Sequence, residues 1–301
     1  MEEKPKILIT NDDGIHAAGL RALVQVLVAT NQYEVYVSAP DSERSAVGHG
    51  ILWQASNHAT RVEIEGATAY GVQGTPADCA SLGVSKALFP GLVPDLVISG
   101  INIGANCGYH VVYSGTVAGA REAFLQGFPS LALSYDWVAG KSDVQDFKKG
   151  AEACLPLINS VLAESRNKEY PKASFLNINL PTDVNRHKGY KLTKQGKCLI
   201  NIGWKQITSS IQDGKSAMEI TSVAGEELLS SFTPSQIPLT FKREVIGPAK
   251  PEEVDTDYGA LQQGYISVTP LAALSPASVA DQDYYEDWIQ RVAESQASSS
   301  L

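Results

Sequence analysis

The stretch Lys6-Ile7-Leu8-Ile9-Thr10-Asn11-Asp12-Asp13-Gly14 passes from an apolar run straight into two adjacent carboxylates. A short apolar run that ends in a polar, Gly-closed turn reads as a buried strand followed by a loop. Leu20 to Ala29 then places apolar residues at helical spacing. The same alternation continues along the chain. Tyr33–Ser38 reads as a strand closed by Ala39-Pro40-Asp41, and Ala69–Val72 as another. In Gly74-Thr75-Pro76-Ala77-Asp78, Thr75 can cap a helix with Pro76 at its first position, running to about Ala87. Pro94–Ser99, Ser130–Ser134 and Phe175–Leu180 are further strands, with a helix over Val117–Gln126. Strands separated by helical patterns imply an α/β fold with a mostly parallel sheet covered on both faces.

The texture changes near residue 190. Ile207–Ile211 and Met218–Ser222 flank Asp213-Gly214, a hairpin signal. Gly264–Thr269 reads as a strand, and residues 281–294 as an amphipathic helix carrying Trp288, Ile289 and Val292. The expected division is a catalytic core over 1–190 and a hairpin, strand and helix appendage over 191–301. Gly140–Asp146 and Gly247–Asp257 read as surface loops.

The chain has 301 residues, 44% hydrophobic and 19% charged, with a net charge of −9. A chain this acidic, without a Lys/Arg run, repels polyanions, which argues against long nucleic acid and anionic membranes as partners. No stretch approaches a transmembrane span. Cys79, Cys107, Cys154 and Cys198 form no C-x-x-C pair, as expected of reduced thiols in the cytoplasm. Met1–Lys6 has no apolar leader. Ser299-Ser300-Leu301 only faintly echoes a peroxisomal Ser-Lys-Leu ending, so a frayed tail is the simpler reading.

Three loops that leave presumed parallel strands are rich in oxygen donors. They are Asn11–Gly14, the Asp41-Ser42-Glu43-Arg44-Ser45 loop with Gly48-His49, and Ser99–Asn106. In an open α/β sheet such loops converge where ligands bind. Carboxylate, hydroxyl and amide oxygens suit Mg²⁺ or Mn²⁺ better than structural zinc. Taken singly, each has an ordinary alternative: Asn11-Asp12-Asp13-Gly14 as a turn capping the helix near Ala18, Ser45 as a cap, Asn102 as a left-handed turn residue. Their coincidence after three strands favours a site. Ser114, Gly115 and Thr116 open the helix at Val117, where hydroxyls and free N–H groups can cradle a phosphate. The alternative there is plain Ser/Thr capping. His49 and His110 are the candidate proton donors.

In order, ILITNDDGI, VSAPDSERSAVGHGI, GTPADCASLGV, PDLVISGINIGAN and YSGTVAGAREA resemble the SurE family of survival proteins, divalent-metal-dependent nucleotidases. The likeness resumes at FLNINLP, KLTKQG and TDYGALQQGYISVTPL, and Cys107–His110 with the longer chain resembles plant members. The resemblance implies a Rossmann-like three-layer core and one divalent cation, Mg²⁺ or Mn²⁺, held by Asp12, Asp13, Ser45 and Asn102. It implies nucleoside monophosphates as substrates, and a homodimer or homotetramer built through an exchanged C-terminal segment and a hairpin. Many members carry Asp where this chain has His110.

The mechanism expected on these residues is in-line attack of metal-activated water on phosphorus. Asn11, Asn106, Ser114, Gly115 and Thr116 would hold the phosphate, and His49 or His110 would protonate the leaving oxygen. Asp12 as a covalent nucleophile ranks lower, because aspartyl-phosphate enzymes use Asp-x-Asp. A nucleotide-binding protein without catalysis is the alternative from a different class.

Overall fold

A computed structural model describes residues 3–167, 170–207, 240–247 and 252–273. The chain divides into two compact units, one formed by residues 1–197 with those from Glu252 onward and the other by Cys198–Pro251.

The first unit is built on one nine-stranded sheet. Strand β1 (Lys6–Thr10) leads through the Asn11–Gly14 loop into α1 (Ala18–Ala29), then β2 (Glu34–Pro40). An antiparallel pair follows, β3 (Ala59–Ile64) and β4 (Ala67–Val72), then α2 (Pro76–Val84) and β5 (Leu96–Ile103). A 3₁₀ turn at Gly108–Val112 precedes α3 (Gly115–Leu125), β6 (Ser130–Tyr135), α4 (Gln145–Arg166) and β7 (Phe175–Leu180). Three short elements complete the unit: β8 (Tyr190–Leu192), α5 (Asp257–Gln262) and β11 (Ile266–Leu271). The strand order is β3-β4-β2-β1-β5-β6-β7-β11-β8. Strands β4, β2, β1, β5, β6 and β7 run parallel, and β11 lies antiparallel to β7. The chain moves outward from β1 on one side through β2, then returns to β5 on the other. Loops after β1 and β5 therefore part over a crevice at the switch point, where such sheets bind ligands.

Strand parity sorts the core into layers. Ile7 and Ile9 of β1, Leu96 and Ile98 of β5, and Ile178 and Leu180 of β7 join the cluster that includes Leu23 of α1 and Ile158 of α4. Leu8 and Val97 point to the opposite face, with Val84 of α2 and Ala123 of α3. Helix pairs α1–α4 and α2–α3 thus cover the two faces, giving the three-layer α/β sandwich expected.

Several boundaries differ from expectation. Helix α1 starts at Ala18 with Ala17 at its cap and no side-chain cap bond, so Asp12 and Asp13 are not spent on capping. Helix α2 has the expected cap, with Thr75 and Asp78 in a reciprocal capping box, but ends at Val84. Helix α4 begins at Gln145, inside a presumed loop, and runs through Pro156. Strand β8, which crosses the expected boundary, and β11 beyond it both belong to the main sheet, so the expected appendage from 191 onward is split. Only Cys198–Pro251 forms the separate unit. The hairpin expected around Asp213-Gly214, the helix over 281–294 and the Ser300-Leu301 ending lie outside the described residues.

In the second unit, β9 (Asn201–Ile207) pairs antiparallel with β10 (Thr240–Gly247). The Arg243 guanidinium sits 4.5 Å from the Trp204 ring centroid. Ile202, Trp204, Phe241, Val245 and Ile246 are exposed.

Helix α1 crosses β5 at Gly19, where an added Cβ would lie 1.9 Å from the Ile101 carbonyl oxygen. Backbone cannot yield as a side chain can. Gly19→Ala should therefore destabilise by about 2 kcal/mol or more by overpacking, although Ala is the better helix former. Urea unfolding of the two proteins measures the difference.

Candidate functional site

A cavity of about 220 Å³ opens over the crevice between β1 and β5. Its lining includes Asp12, Ser45, Asn102, Asn106, His110 and Ser114, six residues from four loops that the sequence singles out. Each is held by an identifiable bond. The Thr116 hydroxyl donates to Asp12 Oδ1, and Asp12 O accepts the Arg44 N–H at 2.7 Å, tying the β2 loop to the β1 loop. Helix α3 can approach Asp12 because Gly115 has no side chain: a Cβ there would meet Asp12 Cβ at 2.8 Å and Pro76 Cγ at 2.9 Å.

Asp13 lies beside the cavity and is not part of its lining. Its Oδ2 accepts the Ile103 N–H at 3.1 Å, while its Oδ1 is buried with no hydrogen-bond partner. Asn11 is fully buried; its Nδ2 donates to Gly14 O at 2.9 Å, and its Oδ1 is also unpartnered. Asn11 therefore shapes the loop and does not reach the cavity. Asn102 commits its amide N–H group to Gly104 O at 2.8 Å, leaving its side-chain oxygen as the end able to meet a cation.

Burial dominates the electrostatics. It pushes the Asp12 carboxyl upward, partly offset by the hydrogen bond from Thr116. Burial, and next the charge of Asp12, push Asp13 up to about 7. Glu43 adds a third negative charge nearby, raising both. Two desolvated neighbouring carboxylates with an unpartnered oxygen resist ionisation unless a cation offsets them. Among the described residues no group of three or more His, Cys, Asp or Glu side chains could hold a metal. A cation here would have to draw on Ser45 and Asn102 as well, a hard-oxygen set that fits Mg²⁺ or Mn²⁺.

Ser114 caps α3, its Oγ accepting the Val117 N–H at 3.0 Å, and lines the cavity beside the helix N-terminus. Thr116 corrects the expectation of a phosphate-facing hydroxyl, because that hydroxyl is committed to Asp12. Gly115 serves by close approach. The two histidines separate. His110 lines the cavity, and burial holds it below the usual imidazole range. His49 instead turns to α3, its Nε2 2.9 Å from Glu122 Oε2, and is outside the cavity lining. That hydrogen bond holds the Glu122 carboxyl below its ordinary value.

The sequence reading missed the residues that hold Asn106. Asn179 Oδ1 accepts the Asn106 N–H at 2.8 Å, Asn177 Nδ2 donates to Asn106 O at 2.8 Å, and Asn106 Nδ2 donates to Ser134 Oγ at 2.8 Å. The signal was present in FLNINL. Alternation puts Asn177 and Asn179 on one face of β7, and two fully buried amides need partners.

Residues 7–201 match the family model described as Survival protein SurE. The chain belongs to the SurE family. It is 36% identical over 276 residues to the 5'-nucleotidase SurE of Flavobacterium psychrophilum, covering 89% of this chain and 91% of that one. It is 38% identical over 271 residues to the 5'-nucleotidase SurE of Moorella thermoacetica, covering 88% and 89%. The crystal structure of the SurE protein from Aquifex aeolicus superposes with a TM-score of 0.67 at 29% identity, covering 94% of this chain and all of that one. The SurE fold is thus shared across the sheet that carries the cavity.

Asp13 gives the SurE-family site a pH signature. A carboxyl raised from 3.8 to about 7 on folding binds its proton more tightly in the native state. Stability in EDTA should therefore fall as pH rises from about 4 to 7 on this account. Asp13→Asn should flatten that fall, and added Mn²⁺ should reverse it. Urea midpoints across this pH range provide the measurement.

Proposed function

We propose that this protein hydrolyses nucleoside monophosphates, with one divalent cation held by Asp12, Asp13, Ser45 and Asn102. The observation that carries the reading is the cavity where a buried carboxylate, a Ser and an Asn meet the start of α3. The relatives are 5'-nucleotidases, which supports the same chemistry and makes nucleoside 5'-monophosphates the first substrates to test.

When bound, the cation supplies Lewis acidity, acidifying water and offsetting charge on the phosphoryl group. The protein's own groups do the rest. Ser114 and the Gly115 N–H at the start of α3 receive phosphoryl oxygens where the helix dipole favours an anion, since the Val117 N–H is taken by Ser114 Oγ and the Thr116 N–H by Asp12. Thr116 keeps Asp12 aligned, and Asn106 is fixed against β6 and β7 to orient the phosphate. His110 protonates the leaving ribose oxygen, since it faces the cavity and His49 does not.

A homo-oligomer completes the proposal. Among the described residues the β9–β10 ribbon pairs two strands and exposes Trp204, Phe241 and Val245, and such a ribbon is marginal without further packing. A second copy that exchanges its C-terminal segment would cover it, as a homodimer or homotetramer. No described helix is long and apolar enough to cross a membrane. The four cysteines are buried and form no disulfide among the described residues, which supports a reducing, cytoplasmic setting.

Phosphate release from a panel of nucleoside monophosphates, with and without EDTA, tests the central reading. Release should depend on Mg²⁺ or Mn²⁺, and the Asp12→Asn, Asp13→Asn double variant should lose it while remaining folded by circular dichroism. Full activity in that variant, or no release with any metal, refutes the proposal.

Leaving-group dependence tests the proton donor. His110→Ala should lower turnover of a nucleoside monophosphate by about a hundredfold, the scale of general acid catalysis. Turnover of p-nitrophenyl phosphate, whose leaving group needs no protonation, should change far less. His49→Asn should spare both substrates. Equal losses on the two substrates for His110→Ala would remove His110 from the donor role.

A further inference from the structure

The C-terminal segment of the first unit reaches the turn that carries His110 through one buried carboxylate. Asp257, at the start of α5, is fully buried. Its Oδ2 accepts the Gly108 N–H at 2.9 Å, and its Oδ1 accepts the N–H groups of Gly196 and Tyr258, each at 2.9 Å. From the same side, Gln195 Nε2 donates to Gly108 O at 2.8 Å. Both backbone polar groups of Gly108 are therefore engaged by side chains far away in sequence.

Gly108 opens the 3₁₀ turn that carries His110 into the cavity, and its φ of +56° suits glycine. The carbonyl of His110 accepts the N–H groups of Tyr113 at 3.0 Å and Ser114 at 3.2 Å. Ser114 then caps α3. Asp257 and Gln195 thus hold Gly108, two residues of chain join Gly108 to His110, and the His110 carbonyl is bonded to Ser114. Asp257 is itself anchored, because its N–H donates to Lys194 O at 2.9 Å and Thr256 caps α5.

The chemistry requires a carboxylate there. Three N–H donors converge on two oxygens, and a buried charge is tolerated when it is this fully hydrogen-bonded. An Asn fills the same volume but offers one oxygen. Either Gly108, or Gly196 with Tyr258, would then face an N–H group in place of an acceptor.

We infer that Asp257 is a positioning residue for the phosphate cradle, setting His110 and Ser114 in place by holding Gly108, without itself lining the cavity. The inference rests on the phosphomonoesterase reading above.

The test compares full-length wild type with Asp257→Asn, Gln195→Met and Thr193→Val. Thr193→Val breaks the buried Thr193–Thr269 hydrogen bond of 2.8 Å in the same part of the sheet without touching Gly108. Three quantities are measured: kcat and KM on a nucleoside 5'-monophosphate, Mn²⁺ affinity by EPR titration, and binding of inorganic phosphate in the presence of Mn²⁺. Asp257→Asn should lower kcat/KM by about tenfold to a hundredfold, the scale of a misplaced catalytic group. Gln195→Met should move it in the same direction. Both should weaken phosphate binding while Mn²⁺ affinity stays at the wild-type value, and Thr193→Val should alter only stability.

Wild-type kcat/KM and phosphate affinity in both Asp257→Asn and Gln195→Met overturn the inference. So does an equal loss in Thr193→Val, which would mark general destabilisation. If Asp257→Asn fails to fold, the exposed Gln195 decides the question. If the wild type releases no phosphate with any metal, the functional reading fails. The phosphate-binding comparison still tests the positioning role independently.

Discussion

Two adjacent carboxylates are held out of water at the end of β1, and the surrounding structure is arranged to tolerate them. Asp12 keeps its place because Thr116 donates to it and because Gly115 lets α3 come within contact distance. Asp13 keeps its place through the Ile103 N–H. These contacts fix how α3 and the β5 loop meet β1, so the cavity cannot be rearranged without exposing or stranding a charge. The same burial that makes the pair costly in isolation would be offset by a divalent cation beside it.

The parallel strands were legible because a strand covered on both faces is a continuous apolar run. β1 and β5 read this way, while β2, β6 and β7 mix polar residues into the run and are set off by the Pro and Gly turns beside them. The edges did not. β3 is largely exposed and lies at the border of the sheet, so its sequence lacks such a run. Helix α4 carries Phe147, Ala151, Cys154 and Ile158 on one face, but Pro156 inside it and the polar start at Gln145 broke the pattern. β11 was read as a strand and assigned to an appendage. Its place in the sheet comes from long-range pairing with β7, which no local pattern encodes.

The site shows the same contrast. Asp12, Ser45, Asn102, Asn106, His110 and Ser114 could be named because each follows a legible strand or starts a legible helix. Residue type alone could not say where a side chain points. His49 sits in a loop near the cavity yet turns away to Glu122, and the Thr116 hydroxyl serves a carboxylate. The buried amides of Asn177 and Asn179 were legible as groups needing partners, but neither they nor Asp257 could be tied to the site, for a different reason. They act on backbone groups of distant loops, and only the folded topology brings those loops to them.

Burial acts on the two sides of the cavity with opposite sign and one result. It raises the Asp13 carboxyl and lowers the His110 imidazole, so in both cases it favours the neutral form. The charged ligands of the proposed reaction reverse both tendencies. A divalent cation beside Asp12 and Asp13 favours their ionised forms, and a phosphate dianion facing His110 favours imidazolium. The proton that His110 would give to the leaving oxygen is therefore supplied most readily when the substrate is in place. Cation and phosphate together would set opposite charges against one another across the cavity. This requires the two sides to keep their separation, and the bonds from β6, β7 and α5 to the cradle loop hold it.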